Sequence, residues 1–185
     1  MTPIELLLTR NSHARLIAPA PDDAQLNLML LAASRAPDHA RMTPWRFLRI
    51  GGAAREHLGN VFVEAQLNRD AGTAPEKLDK LRGNPLRAPL LLVAIARLND
   101  SAKVPVIEQR LAAGCATHAV LLAAHALSFG AMWRTGDMAY DRYVARALGL
   151  ADNEEVIGFL YLGTKQGDPK PLPMVSSGDH LAVWN

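Results

Sequence analysis

The 185-residue sequence has a single cysteine, Cys115. One thiol excludes a disulfide framework and any zinc or iron–sulfur site built on several cysteines. It fits a reducing compartment, so the expected location is the cytoplasm. Net charge is also scarce: 20 Lys+Arg against 18 Asp+Glu leave +2. That excess is too small, and its basic residues too scattered, to argue for nucleic acid, despite a basic isoelectric point. No basic segment precedes the short apolar stretch Leu6-Leu7-Leu8, so no secretory signal is read. The chain has no P-loop and no paired carboxylates at acid–base spacing. None of Ser12, Ser34, Ser128 or Ser176 sits in a nucleophile elbow. Gly51-Gly52 lacks the three-glycine spacing of a dinucleotide turn and reads as a plain turn. Glu154-Glu155 read as a solvated strand start.

What is present is globular: 49% hydrophobic and 21% charged residues in a length that suits one domain, 1–185, with one core. Leu111 to Trp133 carries no Asp, Glu, Lys or Arg. Its length could cross a bilayer, but His118, His125, Thr117, Ser128 and many alanines fit a buried helix of a soluble core instead. No membrane association is expected. His118 and His125 lie about 10 Å apart along such a helix. That is too far for one metal ion, so the expectation is a buried, hydrogen-bonded pair and no metal. Cys115 reads as a small core residue, since nothing local would activate it.

Periodicity predicts helices over 3–10, from Asp22 or Asp23 to Pro37, after Gly52, near 75–83, over 105–129, and from Asp141 to Gly149. Strands are predicted over 45–50, 89–96, 131–134 and 155–163. The result is one α+β layer structure. Pro169, Pro171 and Pro173 space out an extended tail that ends in Leu181-Ala182-Val183-Trp184. Trp184 needs cover, from a partner subunit or from its own chain.

Three polar loops each hold an arginine. Arg10-Asn11-Ser12-His13-Ala14-Arg15 ends a helix and suits an anion such as phosphate, or is a solvated helix end. Arg35-Ala36-Pro37-Asp38-His39 ends a second helix, and Trp133-Arg134-Thr135-Gly136 follows a short strand.

These loops, taken in order, resemble the nitroreductase family of FMN-dependent NAD(P)H oxidoreductases, most closely its short single-domain bacterial branch. The matching pieces are Arg10-x-Ser12, Arg35-Ala-Pro-Asp-His39, Met42-x-Pro44-Trp45, Ala113-Gly114-Cys115-Ala116, Phe129-Gly130-x-x-Trp133-Arg134-x-Gly136 and Gly158-Phe159-Leu160-Tyr161-Leu162-Gly163-Thr164. The resemblance implies a nitroreductase-like α+β fold with a central mixed, mostly antiparallel sheet flanked by helices. It implies a homodimer with FMN at its interface, and a C-terminal arm, 164–185, exchanged with the partner.

By motif, Arg10, Asn11 and Ser12 would contact FMN. Arg35 and His39 would reach it from the other subunit, and Trp133, Arg134 and Thr135 would line its ring and phosphate. The backbone N–H near Thr135-Gly136 would face flavin N5, and residues 122–128 would meet the nicotinamide nucleotide. The implied reaction is ping-pong hydride transfer from NADH or NADPH to FMN, then on to a nitroaromatic, a quinone or another small electron acceptor. The chemistry is the cofactor's, so no catalytic side chain is implied. The alternative is an FMN-binding protein without turnover, for storage or sensing. This chain departs from the family pattern at Asn11, Thr43 and Thr135. It has no clear C-terminal basic pair, for which Lys165 and Lys170 are substitutes.

Overall fold

A computed structural model describes residues 1–168 and 170–184. Pro169, one of the three tail prolines, and Asn185 lie outside the described residues. The chain opens with α1 (Pro3–Thr9), β1 (Leu16–Ile17) and α2 (Asp23–Ala33). It continues with β2 (Trp45–Gly51), α3 (Ala54–Arg69), α4 (Pro75–Gly83), β3 (Leu90–Arg97) and α5 (Val106–Ala126). It closes with β4 (Gly130–Arg134), α6 (Asp137–Tyr140), α7 (Arg142–Ala147) and β5 (Glu154–Lys165).

The sheet runs β1-β5-β3-β2, with β4 also paired to β5. Every pairing among the described strands is antiparallel. β3 is central, and seven of its eight residues are buried, which explains its unbroken apolar run. Its side chains alternate between two cores. Leu90, Leu92 and Ala96 pack toward α2 and α5. Leu91, Val93 and Ile95 pack toward α3 and α7. Each buried Leu or Ile contributes roughly 2 kcal/mol.

Helix starts follow capping chemistry. Thr2 and Asp22 each accept a backbone N–H of the first turn, and Glu5 and Gln25 return the bond. Asp141 caps α7, as predicted, by accepting from the Tyr143 and Val144 amides. α5 ends three residues before the predicted limit. Ser128 takes a left-handed backbone, φ 68°, and the Phe129 amide turns back to the Ala124 carbonyl at 2.9 Å.

Four expectations change. α5 is not enclosed: Ala113, Ala116, Val120 and Ala124 face the core, while Leu111, Cys115 and His118 are exposed on its outer face. Cys115 is therefore not a core residue, and His118 and His125 are not a buried pair. Uncharged composition marked the helix as apolar but could not say that only one face has cover. Glu154 and Glu155 are not simply solvated either. Glu154 takes two bonds from Arg46, at 2.6 and 2.7 Å, and Glu155 takes two from Arg110, both at 2.8 Å. Among the described residues, no helix is long and apolar enough to cross a membrane.

Candidate functional site

The candidate residues fall in three places. The first lies where α1 ends. Past Arg10, the Asn11 side chain accepts from the Ser12 amide at 2.8 Å and donates to the Lys170 carbonyl at 2.5 Å. The His13 amide then donates to the Ala131 carbonyl at 3.0 Å, laying this segment along β4. β1 continues beside the end of β5, with Leu16 opposite Lys165. The close approach needs a glycine at 130. A Cβ there would run into Leu16 and come within 3.0 Å of Lys165 and 3.3 Å of His13.

These elements enclose a cavity of about 450 Å3, a volume typical of small-molecule sites. Thr9, Asn11, His13, His125, Lys165 and Lys170 line it, and its described lining holds no carboxylate. His13 is buried, and its Nδ1 has no partner. Burial, then the Lys165 charge, holds its pKa below the usual histidine value. His125 is lowered too, by burial first, then by Lys165, His13 and Arg10. The described residues lining the pocket thus carry cationic and imidazole groups and no carboxylate. Neither His13 nor His125 is expected at a phosphate from the motifs, which give His13 no role and set His125 among the nicotinamide contacts. The available signal was the polar Arg10–Arg15 segment, but sequence spacing cannot bring Lys165 or His125 to it.

The second place is the end of α2 and the loop after it. Arg35 is exposed beside Cys115 and His118. His39 Nδ1 meets Glu108 Oε2 at 2.7 Å near the start of α5. Three nearby non-glycine residues, Ala40, Arg41 and Thr43, have positive φ. Each such residue costs about 1 kcal/mol or more, and strain of this kind concentrates at functional loops. The Asp38 carboxylate secures the loop by accepting the Thr43 amide at 2.6 Å. Glu108 and His125 are seventeen residues apart on α5, about 25 Å at 1.5 Å per residue. Within one chain, then, His39 stands far from the basic pocket.

The third place is the end of β4. Trp133 and Arg134 point to opposite faces of the sheet, as neighbours on a strand must. The Trp133 ring packs with the α2–α5 core and donates to the Ile157 carbonyl at 3.2 Å. It lies directly over Gly158, where any Cβ would strike it. The Arg134 guanidinium lies over the Tyr161 ring, 5.3 Å from its centroid, and its buried Nε has no partner. Burial, with Arg87 nearby, lowers the Arg134 pKa. Thr135 is exposed beyond the strand end. The Ala131 carbonyl faces the edge of β4 away from β5, where it takes the His13 amide. Ladder alternation points the Trp133 N–H and C=O to that same edge.

The single chain thus joins Arg10, Asn11 and Ser12 to the edge of β4. It does not bring Arg35 and His39 to them, and it turns the Arg134 side chain to the other face. Of the 122–128 stretch, His125 faces Thr9 and the basic pocket.

The nitroreductase-family profile matches residues 8–164. The Escherichia coli K12 protein named "Putative NAD(P)H nitroreductase YdjA" is 40% identical over 183 residues, covering 95% of this chain and 99% of that protein. A nitroreductase-like protein from Bacillus cereus superposes with a TM-score of 0.85 at 19% identity, covering 100% of this chain and 96% of the other. A Bacteroides fragilis nitroreductase with bound FMN gives 0.73 at 20% identity, covering both chains fully. The chain belongs to the nitroreductase family, and its fold is the nitroreductase-like α+β fold.

Proposed function

We propose that the protein is a homodimeric FMN-dependent NAD(P)H oxidoreductase that reduces a nitroaromatic, a quinone or another small acceptor. The single observation that carries this reading is the basic pocket, whose described lining holds no carboxylate and whose His13 is tied to the edge of β4 through the Ala131 carbonyl. Its cations and the orphaned His13 Nδ1 suit a phosphate. From Ala131 to Thr135 the strand covers about 13 Å, a reach suited to a ribityl chain and part of a tricyclic ring. The open backbone groups near Trp133 suit the polar edge of that ring. Family membership, and the FMN bound to the Bacteroides fragilis relative, support the same cofactor here.

FMN, when bound, accepts a hydride from NADH or NADPH and returns electrons to an acceptor. The chain's own residues would bind and orient it. Arg10, Lys165 and Lys170 would neutralise the phosphate, and Asn11 and Ser12 would fix the loop that presents them. Trp133, seated over Gly158, would hold the strand edge in place. Thr135 and Gly136 would face the ring with backbone groups. Arg134 lies behind the strand, and its charge would act on the ring through the sheet edge rather than by contact.

The homodimer is part of the same proposal. Leu111 on α5, Leu28 and Leu31 on α2, and Ile4, Leu7 and Leu8 on α1 are large apolar side chains left exposed. A second copy fits them, because a two-fold pairing across α5 would also carry Arg35 and His39 toward the partner's basic pocket. The exposed Leu181, Val183 and Trp184 of the tail suit the same partner. The test is steady-state NADH and NADPH oxidation by the purified chain with FMN, using nitro compounds and quinones as acceptors. Turnover with either acceptor supports the reading. Bound FMN without any NAD(P)H oxidation would instead indicate flavin storage or sensing.

A further inference from the structure

Two histidines share the basic pocket, and the resemblance gives neither of them a role there. His13 Nδ1 is buried and bonded to nothing. His125 Nε2 has only the Thr9 hydroxyl, at 3.0 Å. The charges facing His13 are Lys165 from the end of β5, Arg10 from the end of α1 and, on protonation, His125 from α5. Those facing His125 are Lys165, His13 and Arg10. Lys170, from the segment after β5, lines the same cavity. Burial and permanent cations therefore disfavour protonation of both imidazoles in the flavin-free protein, outweighing the Asn11 backbone, which favours it at His13. A phosphate dianion reverses the balance, because an opposite charge at hydrogen-bond distance favours the protonated ring.

We propose that His13 and His125 are phosphate ligands of the flavin, and that the pair takes up a proton when the phosphate enters. The proposal rests on the FMN reading above. The proton comes from solvent, and the phosphate oxygen supplies the acceptor that His13 Nδ1 lacks. The sign follows from linkage. Between the lowered pKa of the empty pocket and the raised pKa of the filled one, FMN affinity falls as pH rises, by up to about tenfold per pH unit for each proton. The second ionisation of the phosphate, near pH 6, pulls the other way but is nearly complete by about pH 7.5. Riboflavin has the same ring and no phosphate, so it lacks the effect.

The experiment uses the full-length chain stripped of flavin. FMN and riboflavin are titrated calorimetrically from pH 7.5 to 8.5, in buffers of different ionisation enthalpy. The expected result is uptake of a substantial fraction of a proton with FMN and none with riboflavin. The FMN-to-riboflavin affinity ratio should fall severalfold across the range. His13→Gln and His125→Gln keep a hydrogen-bonding side chain but cannot carry the proton. Each should reduce proton uptake and flatten the FMN profile while leaving riboflavin affinity unchanged. FMN binding without proton uptake, or uptake unchanged in both variants, overturns the inference while the FMN reading stands. A chain that binds neither flavin overturns both.

Discussion

The two ends of β5 carry charge in opposite ways. At its start, Glu154 is buried, bonded to Arg46 and within 3.8 Å of Arg97. Beside it, Glu155 holds Arg110. Every one of these cations has an anion. At its far end, Lys165 stands with Arg10, Lys170 and two histidines, and no carboxylate is among the described residues lining their pocket. One strand thus has a finished electrostatic network at one end and an incomplete one at the other. Paired buried charge is architecture, whereas like charges gathered without a counter-ion lower stability. The second arrangement makes sense when an anion arrives to complete it.

The sharpest way to break this comparison is to leave charge unpaired at the finished end. Glu154→Ala strands Arg46 and Arg97, and should cost about 3 kcal/mol of stability without changing FMN content per folded molecule. Urea denaturation and flavin absorbance check the two halves. Arg10→Ala at the other end should do the reverse. Losing a charged hydrogen bond to phosphate is worth about 2 kcal/mol, so FMN affinity should drop roughly thirtyfold. The flavin-free protein should keep its melting temperature or gain slightly. Equal FMN retention would remove Arg10 from the site.

Between these stands Gly158→Ala. Its methyl group would displace the Trp133 ring, at an overpacking cost of about 1–3 kcal/mol. It should lower both stability and flavin affinity, because Trp133 joins the core to the strand edge.

pH separates the ends a second way. The folded-state pKa values of His13 and His125 are depressed. Their contribution is therefore present above 6.5, the ordinary histidine value, and is lost as pH falls below it. Glu154 and Glu155 are depressed carboxylates. Their contribution persists down to about 4.5, the ordinary value, and is lost below it. The flavin-free protein should weaken in two stages on acidification, and His13→Gln should shrink the first. The smallest effect is expected at the rim of the finished end. Arg142 meets Asp152 at 3.5 Å in full view of solvent, so Arg142→Ala should change stability by less than about 0.5 kcal/mol.

Much of the fold was legible locally. The all-apolar β3, the Asp22 and Asp141 caps and the strand from Trp45 are each set by a few adjacent residues. The residues misjudged were those whose surroundings are assembled from afar. Glu154 looked solvated because Arg46 lies more than a hundred positions away. Cys115 looked buried because composition cannot tell which face of α5 is covered. The polar Arg10–Ser12 segment is visible in the sequence, but its union with Lys165 depends on β1 pairing with the end of β5. Arg134 and Trp133 looked like one cluster, although strand alternation sends their side chains apart. His39 remains about 25 Å along α5 from the basic pocket within one chain, a gap that a partner subunit would close.

The most direct measurement is the visible spectrum of the purified protein, supplied with FMN, before and after anaerobic addition of NADPH and, separately, NADH. The expected result is a protein-bound flavin spectrum that bleaches with at least one donor. A chain that takes up no FMN under these conditions would contradict the central claim that the unfinished end of β5 is a flavin phosphate site.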